Sequence, residues 1–293
     1  MANFRLPTSD FRPLSSGYTM PQPRARRAFT LPMPRARSAF TLIELMVVIG
    51  IIVLLSVLLV PAFTSLKGSS DITNAAYTIT GVLEQARNYA MANNTFVWVG
   101  FYEEATTATS PTNATPPYPG KGRLMLAMVA SKDGTTNCQD PASNTTTRIP
   151  LTPNQITQIG KLIKIENIHM TDVGAPSPTP SPTPQPNSLA ARPDVPYTYG
   201  SPTADYLNRI NSEDTHSPEN QTLYPFVAQG YTFYKTVRFN PRGEANINST
   251  YALKRVAELG FKPTHGIVVD ANSTNVVAIQ FSGVSGNFKI YRK

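Results

Sequence analysis

The chain has 293 residues, of which 41% are hydrophobic and 27 are proline. Its single cysteine, Cys138, excludes an intramolecular disulfide. The net charge of +8 lies mostly in residues 1–39, which hold seven Arg and one Asp, so composition disfavours a basic nucleic-acid-binding surface on the folded part.

The N-terminal segment contains nearly the same nine residues twice, PRARRAFTL at 23–31 and PRARSAFTL at 34–42. The first copy runs into two prolines that cannot continue a helix. The second copy runs into an acid and a long apolar stretch, so we predict that only the second copy is functional. Met33 lies between the two copies. Residues 1–32 are therefore either part of a long leader or the result of a start codon assigned too early, with translation beginning at Met33.

An apolar run without charge extends from Leu45 to Leu66. Its 22 residues exceed the ~20 needed to cross a bilayer as a helix, and a helix is the only open-chain structure that can do so. We therefore predict a transmembrane helix over residues 40–66. Arginines precede it, which puts the N-terminus in the cytoplasm and the bulk of the chain outside.

Glu44 directly precedes this apolar run. A carboxylate there is costly in lipid, so it is expected to have a partner and a function. The alternative is an acid at headgroup level that only marks the membrane edge.

The sequence SAFTLIEL at 38–45, followed by an apolar helix, resembles the N-terminus of type IV pilins and type II secretion pseudopilins. The resemblance implies that a prepilin peptidase cuts between Ala39 and Phe40 and methylates the new amino terminus of Phe40. Glu44 becomes the fifth residue of the mature chain and Pro61 the twenty-second, and both positions are typical of the family. Ala39 replaces the commoner Gly before the cut.

The same resemblance implies a structural role and a set of partners. Residues 1–39 become a cleaved basic leader, and the chain moves from the inner membrane, with its C-terminal domain periplasmic, into a pilus or pseudopilus. The new amine of Phe40 would need a counter-charge beside hydrocarbon, and Glu44 of a neighbouring subunit can supply it. The implied partners are prepilin peptidase, other pilins or pseudopilins, the inner-membrane assembly platform and membrane lipid.

Residues 67–94 are predicted to form an amphipathic second half of the same helix, with kinks at Pro61 and Gly68. The apolar positions recur with a period of 3.6 residues on one face. They are Ile72, Ala75, Ala76, Ile79, Val82, Leu83, Ala86, Tyr89 and Ala90.

Residues 95–293 are predicted to form a β-rich globular domain. Its strand-like runs are rich in Val, Ile, Phe and Tyr and are bounded by Gly, Pro and Asn. They are Thr95–Tyr102, Arg123–Ala130, Leu162–Ile168, Tyr231–Phe239, Gly266–Asp270, Asn275–Phe281 and Asn287–Tyr291. We further predict a short surface helix over Tyr251–Leu259. The fold class is therefore α+β, with one long helix packed on an antiparallel sheet.

Three segments of this domain resemble H-type minor pseudopilins: residues 83–101, 237–245 and 276–293. This resemblance implies a minor rather than a major subunit. Residues 103–205 depart from it. They include APSPTPSPTPQP at 175–186, which favours polyproline II and is predicted as an exposed loop over about 172–205.

The sequence offers no catalytic or metal-binding motif. The three histidines have no metal-ligand spacing, and neither a phosphate loop nor a nucleophile elbow occurs. Adjacent Glu103 and Glu104 at a strand end face opposite ways and are predicted to be solvated charges. We expect no cofactor, no metal and no enzymatic activity.

The C-terminal residues Lys289, Arg292 and Lys293 surround Tyr291. Basic and aromatic residues together suit single-stranded nucleic acid, which raises the alternative of a DNA-binding minor pilin. An ordinary charged strand end is favoured instead, so nucleic acid is not an expected partner. A third alternative is a single-span membrane protein that is never cleaved.

Overall fold

A computed structural model describes most of the chain after residue 40. The described residues are 41–111, 113–136, 150–173, 189, 192, 208–214, 221–222, 224–248, 253–270 and 273–292, without the side chains of 58–69. The chain divides into two compact units, residues 1–52 and residues 53–293. One helix, α1, spans Leu42–Ala92 and includes Pro61 and Gly68 without interruption.

In the first unit, α1 is apolar on all sides after Glu44. Between Leu42 and Ile52 its large apolar side chains are 45% to 77% exposed. A helix that is hydrophobic all round is typical of burial in a membrane or in the core of an assembly. None of the helices in the described part of the chain is long and apolar enough to cross a membrane.

In the second unit, α1 packs on a sheet through the predicted face. Eight of the nine predicted positions are buried and Tyr89 is half-buried against the same core. The opposite face, with Tyr77 and Glu84, is exposed. The amphipathic pattern therefore predicted correctly which side of α1 meets the sheet.

Twelve strands follow α1 in the described residues. They are β1 (Val97–Ala105), β2 (Gly122–Ser131), β3 (Ile156–Met170), β4 (Arg209–Ile210), β5 (Phe226–Ala228), β6 (Tyr231–Phe233), β7 (Lys235–Phe239), β8 (Ala245–Ile247), β9 (Ala257–His265), β10 (Val268–Val269), β11 (Val277–Phe281) and β12 (Phe288–Arg292). The main sheet has the order β12-β11-β9-β3-β2-β1-β7-β8, with β4 and β10 on β9, while β5 and β6 form a separate hairpin. The described strands pair antiparallel except for β4 with β9, so the α+β class is confirmed.

Both faces of the central strands are covered. Val97, Val99 and Phe101 of β1 point into the core beneath α1, whereas Trp98 and Tyr102 join an aromatic cluster that includes the β5–β6 hairpin. Strands buried on both faces read as continuous apolar runs, which is why β1 and β2 are evident in the sequence.

The predicted surface helix over Tyr251–Leu259 is wrong in its described part. Residues 253–256 form no helix, and β9 begins at Ala257. The strand pairs with β11 along one edge and with β4 and β3 along the other. Gly260 permits this close approach, because a Cβ there would lie 2.3 Å from the carbonyl oxygen of Thr171.

Other predicted strands are found with altered bounds. The run Tyr231–Phe239 is two strands, β6 and β7, and only Val268–Val269 of Gly266–Asp270 is strand. The turn between β7 and β8 lies within residues 237–245, and the closing β11–β12 hairpin lies within residues 276–293.

Candidate processing and assembly site

The N-terminus of α1 is closed by a reciprocal pair of hydrogen bonds between Thr41 and Glu44. The backbone N–H and the hydroxyl of Thr41 both donate to Glu44 Oε2 at 2.8 Å, and the N–H of Glu44 donates to Thr41 Oγ1 at 3.3 Å. This arrangement is a capping box, with Thr41 at the N-cap and Glu44 three residues on. The carboxylate therefore has a local structural partner that the sequence reasoning did not identify.

Only one carboxylate oxygen of Glu44 takes part in the cap. Oε1 makes no hydrogen bond with any residue in the described part of the chain, and Glu44 is exposed. The group can thus cap its own helix through Oε2 and offer Oε1 to an external cation.

The structure describes this region only from Thr41 onward. Ala39 and Phe40, at which cleavage and methylation are predicted, lie outside the described residues. Pro61 is part of α1, but its side chain lies outside them as well. The roles assigned to these three residues stay predictions.

The prediction that Glu103 and Glu104 are solvated is wrong. Both are buried, at 0% and 3% exposure, because β1 continues to Ala105 and stays paired with β2 as far as that residue. Their side chains do face opposite sides of the sheet, as predicted, and each meets its own set of partners.

Glu103 is held by a buried histidine and by backbone groups. His169 Nδ1 lies 2.9 Å from Glu103 Oε1, and the N–H groups of Gly122 and Met170 donate to the same carboxylate. His169 Nε2 lies 3.2 Å from Glu213 Oε2. A neutral imidazole can donate to only one of these carboxylates, whereas the protonated ring donates to both.

Glu213 extends this cluster to the surface, where Lys121 also pairs with it. Partial burial raises the pKa of Glu213, but the hydrogen bond from Lys121 and the interactions with His169 outweigh it, and the pKa lies below its ordinary 4.5. Nowhere in the described ranges do three His, Cys, Asp or Glu residues form a group that could hold a metal ion.

Glu104 faces the aromatic cluster. Arg123 Nη1 donates to its Oε1 at 3.1 Å, and the hydroxyl of Tyr231 donates to the same oxygen at 3.3 Å. Burial, together with the charge of Glu104, raises the pKa of Tyr231. These contacts join β1, β2 and β6.

Part of the predicted exposed loop over 172–205 is buried. Val173 and Leu189 pack together in a small core, and Arg192 is 4% exposed. Arg192 donates from Nε and Nη2 to the two oxygens of Glu258, at 2.6 and 3.1 Å. Segment 175–186, with its prolines, lies outside the described residues, as do Cys138 and His216.

Two of the C-terminal basic residues lie on opposite faces of a strand. On β12, Lys289 and Tyr291 lie on one face of the strand and Arg292 on the other, because side chains alternate. Lys289 Nζ lies 5.0 Å from the ring centre of Tyr291. Lys293 lies outside the described residues.

The comparison with known families gives a match at the N-terminus. Residues 34–60 match the model described as the prokaryotic N-terminal methylation motif. No curated protein and no solved structure matches the chain. The matched range contains the predicted cleavage site and Glu44 and supports a type IV pilin-like family, in which prepilin peptidase and other pilins or pseudopilins are the partners. The resemblance to H-type minor pseudopilins stays a prediction.

Proposed function

We propose that this chain is a minor pilin or pseudopilin subunit, cleaved by prepilin peptidase between Ala39 and Phe40 and methylated at Phe40. It is anchored in the inner membrane by residues 40–66, with its globular domain in the periplasm, and assembles into a type IV pilus or type II secretion pseudopilus. Its role is structural, so it is the substrate of an enzyme and not an enzyme.

The observation that carries this proposal is the match to the methylation motif over residues 34–60, a range that includes the exposed apolar start of α1. The apolar side chains at the start of α1 leave a large surface in contact with water, which costs free energy in proportion to its area. Lipid before assembly, and the helices of neighbouring subunits after it, would each remove this surface from water.

Glu44 has a defined task in this proposal. Cleavage leaves a cationic amine on Phe40, directly before the capped residue Thr41. In an assembly, Glu44 Oε1 of one subunit would pair with the Phe40 amine of its neighbour, while Oε2 keeps the Thr41 cap. A charge removed from water needs such a partner.

The second unit supplies the surface of the assembly. Its exposed residues on α1, including Tyr77, and the loops at the sheet ends are the parts available to partner subunits. The buried contact of Glu103 with His169 and the buried ion pair of Glu258 with Arg192 are internal to the domain and support it.

Processing is tested in cells of the source organism with and without prepilin peptidase. The proposal predicts a chain shortened by residues 1–39 only where the peptidase is present, and recovery of the short form with other pilins. Equal chain length in both backgrounds contradicts it and favours a single-span membrane protein that is never cleaved.

A further inference from the structure

Two hairpin tips of the second unit expose branched apolar residues to water. The β9–β10 tip, residues 265–268, carries Ile267 at 54% and Val268 at 64% exposure. The β11–β12 tip, residues 282–287, carries Val284 at 60% exposure. The two tips lie at opposite ends of the sheet.

The β9–β10 tip lies at the Asp71 end of the sheet. A Cβ on Gly122 would lie 2.0 Å from the carbonyl oxygen of Gly266, so the tip touches the start of β2. Gly122 pairs with Ile168 of β3. Asn167, which precedes Ile168 in the sequence, donates from its side chain to Asp71 Oδ2 of α1 at 2.9 Å.

The β11–β12 tip lies at the Arg87 end. A Cβ on Gly286 would lie 2.2 Å from the carbonyl oxygen of Gly243 and 2.7 Å from Arg87 Nε. Arg87 Nε also donates to that carbonyl at 3.3 Å. Asp71 and Arg87 are separated by about 24 Å along α1, at 1.5 Å per residue.

The Asp71 end is the one from which α1 continues into the uncharged run. Leu66, the last residue of that run, precedes Asp71 by about 8 Å of helix. If the run is in a bilayer, the sheet end at Asp71 is therefore close to the bilayer surface, while the Arg87 end is far from it.

We propose that Ile267 and Val268 insert into the surface of the lipid bilayer and form a second membrane contact of the unassembled subunit. This inference rests on the membrane anchoring in the proposed function. The tip is suited to it because a two-residue loop, with Gly266 at a φ of 63°, projects the two apolar side chains from the end of a rigid hairpin. Moving apolar side chains at such a tip from water to the acyl boundary of the bilayer lowers the free energy.

The test uses the full chain in nanodiscs of phosphatidylcholine with a minority of phosphatidylglycerol. In a Cys138→Ser background, spin labels are placed singly through Val57→Cys on α1, Val268→Cys and Val284→Cys. Collision with oxygen, which concentrates in lipid, is compared with collision with a water-soluble nickel chelate. Circular dichroism checks that each labelled variant keeps the fold.

The expected result is an oxygen-to-nickel collision ratio at Val268→Cys several-fold above that at Val284→Cys, with the highest ratio at Val57→Cys. A lipid-like ratio at Val57→Cys with water-like ratios at both tips overturns the tip contact alone and leaves the tip free for a neighbouring subunit. Equal lipid-like ratios at both tips also overturn it, because the contact is then not specific to one end. A water-like ratio at Val57→Cys overturns the membrane anchoring itself.

Discussion

Glu44 Oε2 lies 2.8 Å from both the backbone nitrogen and the hydroxyl oxygen of Thr41, so the acid of the methylation motif caps its own helix. The cap accounts for an acid at the third helical position by local geometry. It does not require a charge, because a neutral side-chain oxygen would accept the same bonds. The assembly role proposed for Glu44 does require one, and the two roles can therefore be separated.

Glu44→Ala is expected to insert and to be cleaved but to be lost from the assembly. Glu44→Gln is expected to behave in the same way, because it keeps an acceptor for Thr41 and loses the charge. Thr41→Ala, which removes the hydroxyl and keeps Glu44, is the matched control and is expected to assemble. Co-purification of each variant with partner pilins is the measurement, and normal recovery of Glu44→Gln would refute the charge pairing.

Glu103→Ala is expected to lower the free energy of unfolding by about 1–3 kcal/mol, the usual cost of leaving buried hydrogen-bonding groups without a partner. It leaves His169 and the N–H groups of Gly122 and Met170 without their acceptor. Thermal unfolding followed by circular dichroism reports the loss. Glu84→Ala, on the exposed face of α1, should change the midpoint little. If both variants lower the midpoint equally, the buried contacts of Glu103 do not stabilise the domain more than an exposed side chain does.

Glu213 is expected to stabilise the domain at neutral pH and to lose this effect in acid. Its folded pKa lies below 4.5, so its contribution is present above that value and falls as the pH drops through the folded pKa. The difference in unfolding midpoint between the natural chain and Glu213→Gln should therefore shrink as the pH falls below about 4.5. A difference independent of pH would show that the Lys121 and His169 contacts do not act through charge.

Arg192→Ala is expected to destabilise the second unit by about 1.5–3 kcal/mol, because Glu258 loses two charged hydrogen bonds and keeps Arg209 Nε, at 3.5 Å, as a cationic neighbour. Arg192→Lys should recover only part of the loss, since an ammonium cannot reproduce the forked contact. Arg242→Ala, at an exposed turn, is the control. If Arg192→Ala unfolds at the same temperature as that control, Arg192 does not anchor its segment.

Local patterns predicted the elements whose hydrophobic pattern matches the burial of their side chains. The buried face of α1 follows from apolar residues at helical spacing, and β1 and β2 follow from continuous apolar runs between turn residues. The capping box could also have been predicted, because Thr41 and Glu44 have the spacing that it requires. The family resemblance drew attention to the charge of Glu44 and away from its geometry.

Long-range pairing decided the parts that the sequence analysis missed. Residues 257–259 contain good helix formers, but strands on both sides of β9 outweigh a helical preference of at most ~1 kcal/mol per residue. Glu103 and Glu104 were predicted to be solvated because the end of β1 was placed at Tyr102, three residues too early. Arg192 and Glu258 are 66 residues apart, so their contact cannot be predicted from the local sequence around either residue.

The most direct test of the central claim is the mass of the N-terminal peptide of the chain purified from its own membranes. The account predicts a peptide that begins at Phe40 and carries one methyl group on its amine, with residues 1–39 absent. A chain that retains the Ala39–Phe40 bond, whether it starts at Met1 or at Met33, would contradict it.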